Sequence, residues 1–230
     1  HLDQRFMRML QANNSMIRAD SDEEKISMAC RGCAAKLPAA PLEQALQRCG
    51  VGGLGQQPED AQPIGTTEDN ATVLSSVDGF PALIPDPWLN GRLTALHACS
   101  DLWASGARVT TVQALVTLPA IDENDQVELL SQTLAGVRSA LDEQGAQLIG
   151  GHTMESRQPL AIPSALDLQL SLSVTGETPK ETKSWSKGSI QPGDVLLLSR
   201  SLGSGVIFAA AMQGRCDPWH LDACLQQLST

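Results

Sequence analysis

The stretch Thr66-Thr67-Glu68-Asp69-Asn70-Ala71-Thr72-Val73-Leu74-Ser75-Ser76-Val77-Asp78 decides how this chain is read. A polar, acid-bearing loop runs into a β-branched segment that closes on a second carboxylate. β-Branched residues favour a pleated strand, so Thr72–Val77 reads as a strand, with Asp78-Gly79 as a turn before a second strand over Pro81–Ile84. Working outward, Asp86-Pro87 is a helix start, Asp as N-cap and Pro at the first helical position. That helix carries Leu89, Leu93, Leu96, Ala98, Leu102 and Trp103 and stops near Gly106.

Val109–Leu118 follows as a strand, then Glu123–Gln144 as a helix with Val127, Leu130, Leu134, Val137 and Leu141 on its apolar face. Gln147–Ile149 reads as a buried strand leading into Gly150-Gly151-His152-Thr153. Asp167–Val174 alternates as a half-exposed strand. Upstream, Pro38–Cys49 is a short helix ending at Gly50. Downstream, Asp194–Ser199 reads as a strand and Gly203-Ser204-Gly205 opens a helix through Met212. The domain plan is an arm or linker over 1–25, a first domain over 26–177, and the incomplete start of a second over 188–230. The expected fold class is α/β (α+β): a mostly antiparallel sheet flanked by helices, plus the beginning of a second α/β domain.

Composition narrows the function. The 230 residues carry a net charge of −10, which argues against non-specific nucleic-acid binding, since phosphate neutralisation needs clustered Lys and Arg. At 42% hydrophobic and 3% aromatic, with no tyrosine, the core must be aliphatic and alanine-rich. No run approaches the ~20 apolar residues of a membrane span. Six cysteines in a chain of this length do not make a small disulfide framework, and a reducing, cytoplasmic setting is expected.

The acids gather the chemistry. Asp69, Asp78 and Asp101 fall at expected element ends, where open α/β sites place polar ligands. Hard carboxylates suit Mg²⁺, which takes few protein ligands and completes its shell with water and phosphate oxygens. Gly150-Gly151 allows close backbone approach and could cradle phosphate, or could be a plain strand-ending turn. His97 lies four residues before Asp101, on the same helix face, and reads as a hydrogen-bonded, partly buried side chain. Cys30-Arg31-Gly32-Cys33 is a weak zinc or redox motif without a second pair. Lys36 beside Cys33 favours a reactive thiolate.

Together these residues resemble the selenophosphate synthetase (selenide, water dikinase) family. It belongs to the ATP-binding superfamily of aminoimidazole ribonucleotide synthetase, thiamine-monophosphate kinase and hydrogenase-maturation enzymes. The resemblance rests on Cys33-Ala-Ala-Lys36, Glu68-Asp69-Asn-Ala, Ser76-Val-Asp78, Ser100-Asp101-Leu-Trp-Ala and Gly150-Gly-His-Thr153. It implies conversion of ATP, selenide and water to selenophosphate, AMP and phosphate. The implied roles are Cys33 and Lys36 as catalytic residues; Lys36, Thr66, Thr67, Glu68, Asp78, Asp101, Gly150, Gly151 and His152 around ATP; and Asp69 and Asp101 on Mg²⁺. It implies a homodimer built by pairing of first domains.

The chain departs from the family at Cys33-Ala34-Ala35-Lys36, at His97 where Asn is common, and in stopping at Thr230 before a further metal-bearing segment. It is therefore expected to be inactive alone. Leu2-Asp-Gln-Arg-Phe-Met resembles the tail of a fused pyridine-nucleotide oxidoreductase, which leaves room for FAD on that absent domain. Two alternatives stay open: a non-catalytic dimerising nucleotide-binding module of a fused reductase, or another ATP-dependent kinase or synthetase of the superfamily.

Overall fold

The computed structural model describes residues 37–51, 59–156 and 167–230. The element order is α1 (Ala39–Cys49), β1 (Gln62–Thr66), β2 (Thr72–Pro81), α2 (Pro87–Ala104), β3 (Arg108–Leu118), α3 (Glu123–Asp142), β4 (Gln147–Glu155), β5 (Gln169–Glu177), α4 (Ser204–Met212) and α5 (Pro218–Leu228). Five strands form one sheet in the order β1-β2-β5-β3-β4. All pairings are antiparallel except β3 with β4. That parallel pair is joined through α3, as a crossover connection requires. The expected α/β class, with a mostly antiparallel sheet flanked by helices, is what the chain adopts.

Alternation along the strands explains how the core forms. Leu170, Leu172 and Val174 of β5 and Val109, Val112, Ala114 and Val116 of β3 turn inward, at 6% exposure or less. They pack with Ala95, Ala98, Cys99 and Leu102 of α2 and Leu129, Val137, Ala140 and Leu141 of α3 in one cluster. The opposite sheet face carries Val77, Leu115 and Met154 exposed. No described helix is long and apolar enough to cross a membrane.

Three expectations are corrected. Asp78-Gly79 is no turn: β2 runs unbroken from Thr72 to Pro81, paired with β5 through Val73–Pro81. A Cβ on Gly79 would lie 2.4 Å from the Leu170 carbonyl oxygen, so this glycine admits a neighbouring strand instead of a bend. Gln147–Ile149 is not a buried strand but the start of an exposed edge strand reaching Glu155. Asp194–Ser199 is not a strand either. Val195, Leu196, Leu197 and Leu198 are 68–92% exposed, because an apolar run needs a partner edge before it can extend as a strand.

The residues after this run still pack on the first unit. Phe208 and Cys224 join Leu83, Ile84 and Leu93 in a second apolar cluster. Arg92 of α2 donates from Nε to the Ser229 carbonyl (2.8 Å) and from Nη2 to both oxygens of Glu143 (2.8 and 3.0 Å).

Candidate active site

Helix α2 begins where Asp86 caps it: Asp86 Oδ1 accepts from the Leu89 N–H at 2.9 Å, with Pro87 at the first position. The helix then crosses β2 and brings His97 and Asp101, one turn apart, over the inward face of that strand. Strand period puts Ser76 and Asp78 on the same side as buried Leu74. The result is a compact polar cluster. Ser76 Oγ donates to Asp101 Oδ2 at 2.6 Å, and His97 Nε2 lies 3.1 Å from Asp78 Oδ2. Asp78 Oδ1 accepts from the Gly79 N–H at 2.7 Å. The Phe80 ring sits 5.3 Å from the imidazole, which fits the partly buried histidine expected from sequence.

A third element completes this corner. The segment after β5 returns to it, and Lys187 Nζ pairs with Asp60 Oδ1 at 2.7 Å. The bonded Asp60 carboxylate, with weaker attraction from Glu59 and Asp101, lifts the Lys187 ammonium above the ordinary lysine range. Sequence reading missed Ser76, Asp60 and Lys187 as site neighbours. Ser76 was findable, two residues from Asp78 and so on its face; nothing local to Lys187 announces it.

The other expected ligands lie elsewhere. Thr67 closes the β1–β2 hairpin: its N–H donates to the Ala71 carbonyl (2.9 Å), and its Oγ1 accepts from the Ala71 N–H (3.1 Å). At that tip Asp69 is paired with Lys180. Thr67 and Asp69 line a separate cleft of about 580 Å³ with Arg108, Glu177 and Thr178. Thr66 ends β1, paired with Thr72, and Glu68 sits in the same hairpin turn. Gly150, Gly151 and His152 stand on β4, the far edge from β1. Gly151 is opposite Ala114, which is opposite Leu172, which is opposite Asp78. One row therefore holds Gly151 and Asp78, three inter-strand steps or ~14 Å apart, with buried Leu172 and Ala114 between them. Gly151 has φ +158, and a Cβ would fall 1.9 Å from the Ala114 carbonyl oxygen, so only glycine lets β4 approach here. Cys33, Lys36 and Cys30 lie outside the described residues.

Asp78 and Asp101 are two hard-oxygen donors on facing elements. Among the described residues no group of three or more His, Cys, Asp and Glu could hold a metal ion. That donor set fits Mg²⁺, which leaves most of its shell to water and phosphate, and does not fit a closed zinc centre.

Beneath the cluster, Cys99 is fully buried. Burial pushes its thiol up to about 11 from 9.0, against a smaller opposing pull from Gln144. Between these values the unfolded chain has lost the proton and the folded chain keeps it. The stabilisation is therefore full below about pH 9 and is lost as pH rises toward 11, on the order of 2–3 kcal/mol. Urea midpoints of the parent and Cys99→Ala should accordingly converge between pH 8 and pH 10.5. A parallel fall in both proteins would show that another group controls alkaline stability.

Residues 58–178 match the family model for AIR synthase related protein, N-terminal domain. The chain is 35% identical over 196 residues to a selenide, water dikinase of Myxococcus xanthus (strain DK1622), covering 80% of this chain and 50% of that one. It is 30% identical over 203 residues to a selenide, water dikinase of Desulfitobacterium hafniense (strain Y51), covering 86% and 56%. The chain thus spans about half the length of the curated relatives it matches. A crystal structure of the hydrogenase maturation protein HypE aligns over 72% of this chain and 47% of that one, at 20% identity and TM-score 0.48.

Proposed function

Because the chain belongs to the AIR synthase related protein family, matched through its N-terminal domain, we propose that it is the nucleotide-binding part of a selenide, water dikinase. The reaction would be ATP + selenide + water → selenophosphate + AMP + phosphate. One observation carries this reading: α2 sets Asp101 beside Ser76 and Asp78 of β2, forming a two-carboxylate corner. The similarity to curated selenide, water dikinases supplies the substrate.

In this reading Asp78 and Asp101 hold Mg²⁺. Bound there, the ion would supply positive charge where negative charge develops on the transferring phosphoryl groups. Ser76 and His97 orient the two carboxylates by hydrogen bonding, as outer-shell partners do for metal ligands. Lys36 adds a further positive charge to the phosphates, and Cys33 handles selenium. Asp69, expected from sequence as a metal ligand, pairs instead with Lys180, so the metal role passes to Asp78. Four free thiols among the described residues, at Cys49, Cys99, Cys216 and Cys224, support a reducing, cytoplasmic setting.

The Gly150-Gly151-His152 edge cannot reach the nucleotide of its own Asp101 through the buried centre of the sheet. We assign it to the nucleotide site of a second copy, paired over the open sheet face that carries Val77 and Leu115 at 71% and 43% exposure. The test is selenide-dependent AMP formation by this segment joined to the half of the relatives' length it does not cover. That protein should turn over only with selenide, ATP and magnesium present, and should sediment as a dimer. ATP hydrolysis indifferent to selenide would redirect the substrate to another synthetase or kinase of the family. A strict monomer with full turnover would remove the shared site.

A further inference from the structure

Lys187 emerges from a segment that is fastened at several points. Beyond β5 the Thr178 N–H donates to the Thr72 carbonyl (3.0 Å), and Thr178 Oγ1 accepts from the Thr72 N–H (3.1 Å). The Trp185 N–H then donates to the Ser105 carbonyl at the C-terminal end of α2 (3.0 Å). The Trp185 indole lies against Gly106, where a Cβ would fall 2.9 Å from the ring and φ is +75. Ser186 Oγ and the Lys187 N–H both donate to the Glu59 carboxylate, at 2.8 and 3.2 Å.

These fastenings fix the backbone without the Lys187 ammonium. The ammonium itself is on a half-exposed side chain paired with Asp60, and such exposed pairs contribute little to stability. Its location therefore points to a task other than holding the fold. It is bonded to Asp60 and feels the charges of Glu59 and Asp101, while His97, one turn before Asp101 on α2, is the other basic group near that carboxylate. A lysine on a flexible four-carbon stem can exchange one anionic partner for another by a rotamer change.

Resting on the nucleotide reading above, we propose that Lys187 is a phosphate-positioning residue. Asp60 holds it at the approach to Asp101, and it moves onto the nucleotide phosphates when they arrive. Phosphate displaces the Asp60 carboxylate from the ammonium, so one charge-assisted pair replaces another and no proton need move.

The experiment is calorimetric titration of the 1–230 chain with ATP, AMP and adenosine in magnesium. Lys187→Met should weaken ATP roughly tenfold or more, the size of a lost charged hydrogen bond. It should leave adenosine unchanged, and Lys187→Arg should recover most of the loss. Asp60→Asn removes the competing carboxylate of that pair, so ATP should tighten a few-fold, and this gain should vanish in the Asp60→Asn, Lys187→Met double variant. A purely structural ion pair predicts instead that both single variants weaken all three ligands alike, which would overturn the proposal while leaving the nucleotide reading intact. Absence of ATP binding by the parent chain would overturn both, and is recognisable before any variant is made.

Discussion

Asp101→Asn should abolish magnesium-dependent ATP affinity while leaving the fold unchanged. The substitution keeps an oxygen that can accept the 2.6 Å hydrogen bond from Ser76, so packing between α2 and β2 is preserved. It removes one of two carboxylates at the proposed magnesium corner. With so few protein ligands, losing one should weaken binding roughly a hundredfold, ~2.7 kcal/mol. Asp78→Asn should behave alike. Asp69→Asn, at the hairpin tip against Lys180, should change ATP affinity less than threefold. Titrations with and without magnesium, alongside thermal melts of each variant, decide the matter. If Asp69→Asn is the variant that loses magnesium dependence, the metal sits at the hairpin as the sequence suggested, and the Asp78–Asp101 assignment fails.

That contrast shows which parts of the molecule a one-dimensional reading can reach. Asp86-Pro87 starts a helix through contacts within four residues, and the structure forms that cap. The alternation Leu168, Leu170, Leu172, Val174 is local too, and its apolar residues are all buried. Asp78-Gly79 went astray because its fate is decided by β5, about ninety residues downstream, whose pairing carries β2 straight through. The site suffered the same way. Asp69 and Asp78 look equivalent along the chain, yet nine residues of hairpin and strand send them to different clefts. Lys187 reaches its acids only because Trp185 and Ser186 are anchored to α2 and Glu59, a long-range event with no sequence periodicity. Helix α3 and most of its apolar stripe were legible: of the five expected residues, Val137 and Leu141 are buried, Leu130 and Leu134 pack against the core, and Val127 stays exposed. The stripe missed Leu129 and the small residues Thr133, Gly136 and Ala140, which share the buried face.

Gly136→Ala should unfold the domain at temperatures where the parent is folded, because the small residues of that face let the two helices meet closely. Helices α2 and α3 meet through a reciprocal pair of glycines. A Cβ on Gly136 would lie 1.8 Å from the Trp88 carbonyl oxygen, and one on Gly91 would lie 2.1 Å from the Thr133 carbonyl oxygen. Two opposing effects compete. Alanine in place of glycine within a helix gains ~1 kcal/mol of propensity. Against it stands a clash with backbone, which no rotamer change can relieve, so the helices must separate and the layer over Leu172 and Val112 must loosen. Overpacking of a close contact costs ~1–3 kcal/mol where neighbours can yield. Here they cannot, and a net loss of roughly 3 kcal/mol or more is expected, which lowers Tm by about 6–12 °C in a chain of this size. Gly65→Ala is the matched control, since a Cβ there meets nothing within 4 Å and φ is not positive; its Tm should stay within a degree or two. Calorimetric or circular-dichroism melts of both variants provide the measurement. A Gly136→Ala protein that melts at or above the parent's Tm would mean that the crossing has slack, and that the two helices do not hold Asp101 over β2 as tightly as this glycine pair requires.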